Sequence, residues 1–461
     1  MTETATDAEG NQTVTETKTE TAEETAVTTT ENADGTVTTK TETVSTEKVT
    51  ETVTDAEGKV TETVRETVTE TVKEITADAD GTETGTVRTT ETVKDENGSV
   101  LSAAVTEAEI KAATDENGVK TTETAATVTK TDADGNETVE KTVTTENLTA
   151  DGSTGTTVTD ENGRLLSQET VISAAEAEAA RDEGRPMRSP LTVAPAPGGD
   201  AEHAVPVRID LPAINCDKDG DGRVSRAEMP KVELSVTYTG PGVIAMIRGL
   251  LDRWLPVKTC YEGSLIVPVS GDCEICVVDN TKTFDDVAEG QWFNEYVGFV
   301  AARGIFNGDG NGRFLPQSSM TRGMVAQVLY NFDLGAKPGD GTVFNDVTAT
   351  AWYSGAVGWA KESGVAQGYG ESFGAEDDVL RQDLAVILYN YAKTAGYDVS
   401  ATAELDSFPD AGEVADYAVD AMRWAVGSGL IVGMDDGTLA PRGTTTRAQV
   451  ATVMTRFVRN G

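Results

Sequence analysis

Three groups of residues in this chain have the types and spacing to do chemistry. The run Asp217-Lys-Asp-Gly-Asp-Gly-Arg-Val-Ser-Arg-Ala-Glu228 alternates acids around a glycine turn, an oxygen-rich set suited to a hard divalent cation. Cysteines at 216, 260, 273 and 276 could form a zinc site, two disulfides or free thiols. Arginine recurs at one place in three long C-terminal repeats, as Thr321-Arg322, Leu380-Arg381 and Thr446-Arg447. There a guanidinium fork could grip a carboxylate in two-toothed fashion. His203 is the single histidine, which nearly removes Ser-His-Asp and Cys-His catalysis.

The acidic run resembles the calcium loop of an EF-hand at every key offset. The resemblance puts Asp217, Asp219 and Asp221 at loop positions one, three and five, with Gly222 at the turn. It has Arg223 offer a backbone carbonyl, Ser225 hold a water, and Glu228 close the site as a bidentate ligand. The flanks depart from the pattern: no clear helix precedes Asp217, and Pro230 would stop a following helix early. Calcium is the one cofactor expected, against the plain alternative of an acidic surface turn. Cys273 and Cys276 lie three apart in a strand-like run and so face opposite ways. Free thiols, or a disulfide such as Cys260–Cys276, fit that pair better than a shared metal.

The elements that would position the arginines come as a triplicate from Phe284 to Phe457. Each unit opens with Phe-x-Asp, at Phe284/Asp286, Phe344/Asp346 and Phe408/Asp410. Trp292 and Trp352 follow eight residues later, where the third unit has Asp416 and then Tyr417. Then come an amphipathic helix, a Gly-x-x-x-Gly turn, an extended piece such as Arg313-Phe-Leu-Pro316, and a second helix opening at the arginine. The three aspartates read as turn or cap residues.

This ordered series resembles surface-layer homology (SLH) domains. The resemblance implies a mostly α, three-pronged unit that binds secondary cell-wall polysaccharide without a covalent bond, commonly through pyruvylated sugars. It implies that Arg322, Arg381 and Arg447 face ligand grooves, each at a helix start whose dipole also favours anions. Trp292 and Trp352 could stack on a sugar ring, with a role as core anchors weighed above it. In the family's Thr-Arg-Ala-Glu pattern, the glutamate is replaced here by Met324, Asp383 and Gln449. Only Gln449 retains a capping pair, with Thr446, so the third unit is expected to keep the best-ordered arginine.

Upstream the composition changes abruptly. Every Trp (5), Tyr (10) and Phe (10) lies at or after Tyr238, and the first proline is Pro186. Residues 1–165 repeat a Thr/Val/Glu run followed by a turn such as Asp55-Ala-Glu-Gly58 or Asp115-Glu-Asn-Gly118. Strict alternation predicts strands, yet few residues are large enough to build a core. A long β-meander held by threonine ladders and a disordered acidic stalk both fit. Short Ala/Glu-rich stretches, Leu101–Ala113 and Ile172–Arg181, carry helical character.

The fold expected is therefore multidomain. It has a β-repeat or disordered region (1–165), a short helix and Pro/Gly linker (166–200), a small β domain with the acidic loop (201–280), and SLH repeats at 281–340, 341–403 and 404–461. The net charge of −41 disfavours nucleic acid and anionic lipid as partners. The longest apolar stretch, Gly242–Leu255, is broken by charges and too short to span a bilayer. The N-terminus lacks the basic and apolar regions of a secretory signal, which suggests a mature form, a fragment or a mis-started reading. The reading favoured is a non-catalytic, extracellular cell-wall or S-layer protein of a Gram-positive bacterium, able to self-associate in a surface layer. The alternatives are the anchoring part of a surface hydrolase and a calcium-dependent adhesin.

Overall fold

The computed structural model describes residues 2–6, 12–213, 229–249, 252–259, 265–333 and 335–460. The chain divides into two compact units, Met1–Glu169 and Thr170–Gly461.

The first unit is an antiparallel meander. Its strands are β1 (Thr2–Thr6), β2 (Gln12–Glu31), β3 (Val37–Thr54), β4 (Val60–Ala77), β5 (Glu83–Asp95), β6 (Val100–Thr114), β7 (Lys120–Thr131), β8 (Glu137–Leu148) and β9 (Thr154–Asp160). Each pairs with its sequence neighbour, and β10 (Leu165–Val171) begins at the end of this unit. Ordered strands thus replace the disordered stalk. The turns that open with Asp55, Asp78, Asp95, Asp115, Asp132 and Asp160 are made the same way. Asp115 accepts the amides of Asn117 and Val119 on Oδ1, both at 2.9 Å, while Gly118 closes the turn at φ 80°. Threonines ladder across strands, as Thr38–Thr76 at 2.9 Å and Thr71–Thr89 at 3.1 Å, each such pair adding roughly 0.2–1 kcal/mol. Little apolar area is covered: Val27, Val60 and Val139 stay exposed. The segment expected to be helical, Leu101–Ala113, lies inside β6 instead.

The second unit opens with α1 (Ala174–Glu183), a helix where the Ala/Glu content of Ile172–Arg181 predicts one, and Ser173 caps it. Next comes β11 (Met187–Val193), where the Pro/Gly composition suggested a linker. Its alternate residues Met187, Ser189, Leu191 and Val193 are buried, and Pro190 is tolerated because β11 is an edge strand with a register shift. The remaining strands are β12 (Val207–Asp210), β13 (Lys231–Val236), β14 (Val243–Arg248), β15 (Trp254–Pro256), β16 (Leu265–Pro268) and β17 (Cys273–Asp279). They form two layers, ordered β11-β13-β16 and β12-β17-β14-β15, around Ile209, Leu234, Ile244, Val267 and Ile275.

The repeats then supply α2 (Asn294–Ala302), α3 (Arg322–Phe332), α4 (Ser354–Glu362), α5 (Arg381–Thr394), α6 (Val419–Gly427) and α7 (Arg447–Asn460). The mostly α expectation is corrected here. About 40% of the chain is strand and 21% helix, and fewer than half of residues 281–461 are helical, because long turns and extended pieces separate the helices. The packing exchanges helices between repeats: α3 packs on α4, α5 on α6, and α7 on α2. Each pair joins the second helix of one repeat to the first helix of the next, and the third repeat returns to the first. One core runs through all of them, including Phe332, Tyr391 and Phe457.

Candidate functional site

The repeat motif acts through its turns. Asp286 accepts the amides of Phe314 and Leu315, both at 2.7 Å. Asp346 does the same for Phe373 and Gly374, and Asp410 for Leu439 and Ala440. The three carboxylates thereby fix Leu315 (φ 60°), Gly374 (φ 68°) and Ala440 (φ 49°) in a left-handed bend. Burial opposes ionisation of Asp346 and Asp410, yet the amide hydrogen bonds win and hold both below the usual carboxylate range. The motif phenylalanine sits beneath the same turn. A Cβ on Gly368 would stand 2.3 Å from the Phe344 ring and 2.5 Å from the Ser372 carbonyl, so only glycine fits.

The three motif arginines close a cycle between repeats. Arg322 donates from Nε to Phe373 O (3.0 Å) and from Nη2 to Gln367 O (2.9 Å) in the second repeat. Arg381 donates to Leu439 O and Val432 O in the third (2.9 and 3.0 Å). Arg447 donates to Phe314 O and Asn307 O in the first (2.7 and 2.8 Å). The helix starts are occupied as well. The first two amides of α3 donate to Asp377 O and Ala375 O, those of α5 to Gly443 O and Pro441 O, and those of α7 to Ser318 O and Pro316 O. A smaller ring joins Met320 N to Thr445 O, Thr445 N to Val379 O, and Val379 N to Met320 O. Two of the fork's donors and the anion-favouring helix amides are thus engaged by backbone. Nη1 of each arginine has no partner among the described residues.

The expected capping difference is present. Thr446 and Gln449 form a reciprocal box at 3.3 and 3.0 Å, Thr321 caps alone, and Leu380 gives no side-chain cap. Trp292 and Trp352 are not core anchors: they are 57% and 64% exposed, each edge-on to the next aromatic, Phe293 or Tyr353. Trp292 lines a cleft of about 560 Å³ with Arg381, Gln449 and Arg456, beside α7. Sequence reasoning missed Arg456. Aligning the second helices would have exposed it, since the same position holds Asn331 and Asn390 in the other repeats.

The acidic loop Asp217–Glu228, with Asp219, Asp221 and Arg223, lies outside the described residues, as do Cys216 and Cys260. Among the described residues, no group of three or more His, Cys, Asp or Glu side chains is placed to hold a metal. Cys273 and Cys276 are free thiols. Burial pushes Cys276 up to about 12 and, helped by Asp272, Cys273 up to about 11, so neither is poised as a thiolate ligand. Among the described residues no helix is long and apolar enough to cross a membrane.

A family model described as "S-layer homology domain" matches residues 283–323, 343–385 and 407–451. The C-terminal part of the chain therefore carries three SLH domains. The chain is similar to "Surface-layer 125 kDa protein" of Lysinibacillus sphaericus, 28% identical over 202 residues, which is 43% of this chain and 16% of that protein. It is also similar to "Exoglucanase XynX" of Acetivibrio thermocellus, 26% identical over 183 residues (39% of this chain, 16% of that protein). "Amylopullulanase" of Thermoanaerobacterium thermosulfurigenes is 26% identical over 178 residues (38% and 9%). The chain thus spans less than a fifth of the length of each relative, and the two enzymes share with it only the SLH region. SLH domains mediate cell-wall anchoring, and their presence marks a cell-surface protein.

Proposed function

We propose that this chain is a non-catalytic surface protein held non-covalently to secondary cell-wall polysaccharide, pyruvylated sugars included, by its SLH repeats. The observation that carries this reading is the closed cycle of three repeats bearing a cleft with an exposed indole and two arginines. Sugar rings stack on flat aromatic faces, and guanidinium pairs with the carboxylate of a ketal. The first 169 residues, an aromatic-free threonine and glutamate sheet, suit a spacer or a layer-forming surface better than an active site. The full chain is expected to sediment with Gram-positive sacculi and to be released by denaturant. Equal sedimentation after the secondary polymer is stripped by mild acid would count against the reading.

Calcium at Asp217–Glu228 belongs to the same proposal, on the strength of the loop's donor spacing. Calorimetric titration of the full chain should show a calcium site that Glu228→Gln weakens about tenfold or more, through loss of one charge and of bidentate closure. Heat unaltered by the substitution would remove the loop from the account.

A further inference from the structure

The first unit leaves one strand edge open. On one side of β2 the pairing with β3 is unbroken from Val14 to Glu31. On the other side β1 pairs only from Gln12 to Glu16. From Lys18 to Glu31 that side meets no strand among the described residues, and every residue of the stretch is exposed, Val27 at 62%. The hairpin that follows is closed by Asn32 N donating to Thr36 O. Residue pairs in an antiparallel ladder alternate between bonded and open, so even-numbered residues of β2 turn their amides towards β3. Odd-numbered residues, from Thr19 to Glu31, turn both N–H and C=O outward.

Such an edge is a template for another strand unless something blunts it. Proline, a bulge or a free lysine would do so. β2 has no proline, its register with β3 has no shift, and its one lysine, Lys18, is held by Glu20 at 2.5 Å.

The residues of the edge select its occupant. A second copy related by a two-fold axis perpendicular to the sheet pairs antiparallel, and one residue then faces its own copy. An axis before Glu24 runs the partner strand into β1. At Glu24 the two carboxylates stand directly opposite, which is destabilising. An axis at Thr25 opposes Glu24 to Ala26, Glu23 to Val27, Glu20 to Thr30 and Glu31 to Thr19, so no two acids face each other. Axes further along shorten the overlap. The hydroxyls agree with this register. Thr25 bonds Thr43 at 3.1 Å, Thr43 lies opposite Thr71, and Thr71 bonds Thr89 at 3.1 Å. A Thr25–Thr25 pair joins this four-strand ladder to its copy. Being odd-numbered, Thr25 also exchanges both backbone bonds across the axis.

We infer that the chain associates with a second copy of itself edge to edge, through β2 about a two-fold axis at Thr25. The inference rests on reading the first unit as a layer-forming surface and names the edge that joins two copies. Anchoring by the repeats does not depend on it. Charge sets the condition: each chain carries −41, and Glu24 and its copy remain diagonal neighbours. Association therefore strengthens as salt screens the repulsion.

The test uses the full chain at about 1 M salt, where the screening length is about 3 Å. Sedimentation velocity should show monomer passing to dimer as concentration rises, with a Kd tighter than about 1 mM. Thr25→Pro removes an outward N–H and no backbone bond to β3, so the meander is kept and pairing weakens by at least about tenfold. Circular dichroism checks the strand content of each variant. Thr25→Cys reads the register. Bonded partners lie about 5.5 Å apart at Cα, within disulfide reach, whereas two copies of Ala26→Cys sit on a diagonal of roughly 7–8 Å. Mild oxidation should cross-link Thr25→Cys, and not Ala26→Cys, above the background from the chain's own four cysteines. If Thr25→Pro loses strand content, the two cysteine variants decide alone. A wild type monomeric at about 1 mM, or a dimer that folded Thr25→Pro leaves intact, would overturn the inference. Cross-linking of Ala26→Cys equal to that of Thr25→Cys would overturn the axis at Thr25. Thr25→Pro should still sediment with native sacculi as the wild type does. Failure of both to sediment would overturn anchoring and leave the edge to be judged on the dimer alone.

Discussion

At the scale of single residues, the motif arginines show how far spacing alone can be read. Their recurrence at Arg322, Arg381 and Arg447 is plain in the sequence, and so is their fitness for a carboxylate. Their partners are not plain, because the receiving carbonyls lie 45 to 140 residues away in the next repeat, where no local pattern points. A lysine carries one compact donor head and cannot span two carbonyls as the fork does. Arg381→Lys should therefore cost roughly 1–3 kcal/mol of stability, measured by chemical denaturation with unchanged m-value. An unchanged midpoint would mean that the fork adds nothing to the closure of the cycle. The motif aspartates are turn residues, as their place beside Phe implies. Asp346 and Asp410 have folded-state acidities stronger than in the unfolded chain, so the stability they contribute is complete above the ordinary carboxylate pKa and is lost as pH falls through the lowered value. Asp410→Asn should flatten part of that acid loss, and an identical acid unfolding curve would contradict the assignment.

At the scale of elements, the strands of the meander are legible because β-branched residues alternate between turn residues. The exception is Leu101–Ala113. Ala104, Ala108 and Ala112 recur every four residues, a spacing that puts them on one face of a helix and equally on one face of a strand. Alanine favours the helix locally, but pairing of β6 with β5 and β7 along its length decides for the strand. In β11 the prolines hid a buried alternation that only its place at a sheet edge permits. The turn glycines of the repeats carry a sharper prediction. Gly368→Ala forces a methyl into Phe344 and a carbonyl, and should destabilise Thr170–Gly461 by roughly 1–3 kcal/mol in thermal unfolding. A neutral result would show that the Phe344 ring can move aside without cost. The meander has no comparable core, so its amides should exchange with solvent faster than those of α3, α5 and α7.

At the scale of the whole molecule, the β domain and the first SLH repeat meet through polar groups that composition could not reveal. Arg303, fully buried, donates to Pro241 O and Phe299 O, Lys258 donates to Arg303 O at 2.5 Å, and Asn280 donates to Ala302 O at 2.6 Å. Burial pulls Lys258 down to about 8 from 10.5. Between those values the unfolded chain holds the proton and the folded chain does not, so this group makes stability rise with pH across that window. Lys258→Met should remove the rise, and a difference between wild type and variant that stays flat from pH 8 to 10.5 would refute it. The charge of −41 sets a further condition: an acidic wall polymer is repelled by the chain as a whole, and attraction must come from the few cations of the repeats. The measurement that tests this most directly compares residues 170–461 with residues 1–169 on the same native sacculi. Residues 170–461 are expected to bind saturably, with an affinity within a few-fold of the full chain, and residues 1–169 to stay in the supernatant. Equal sedimentation of the two would contradict anchoring by the SLH repeats.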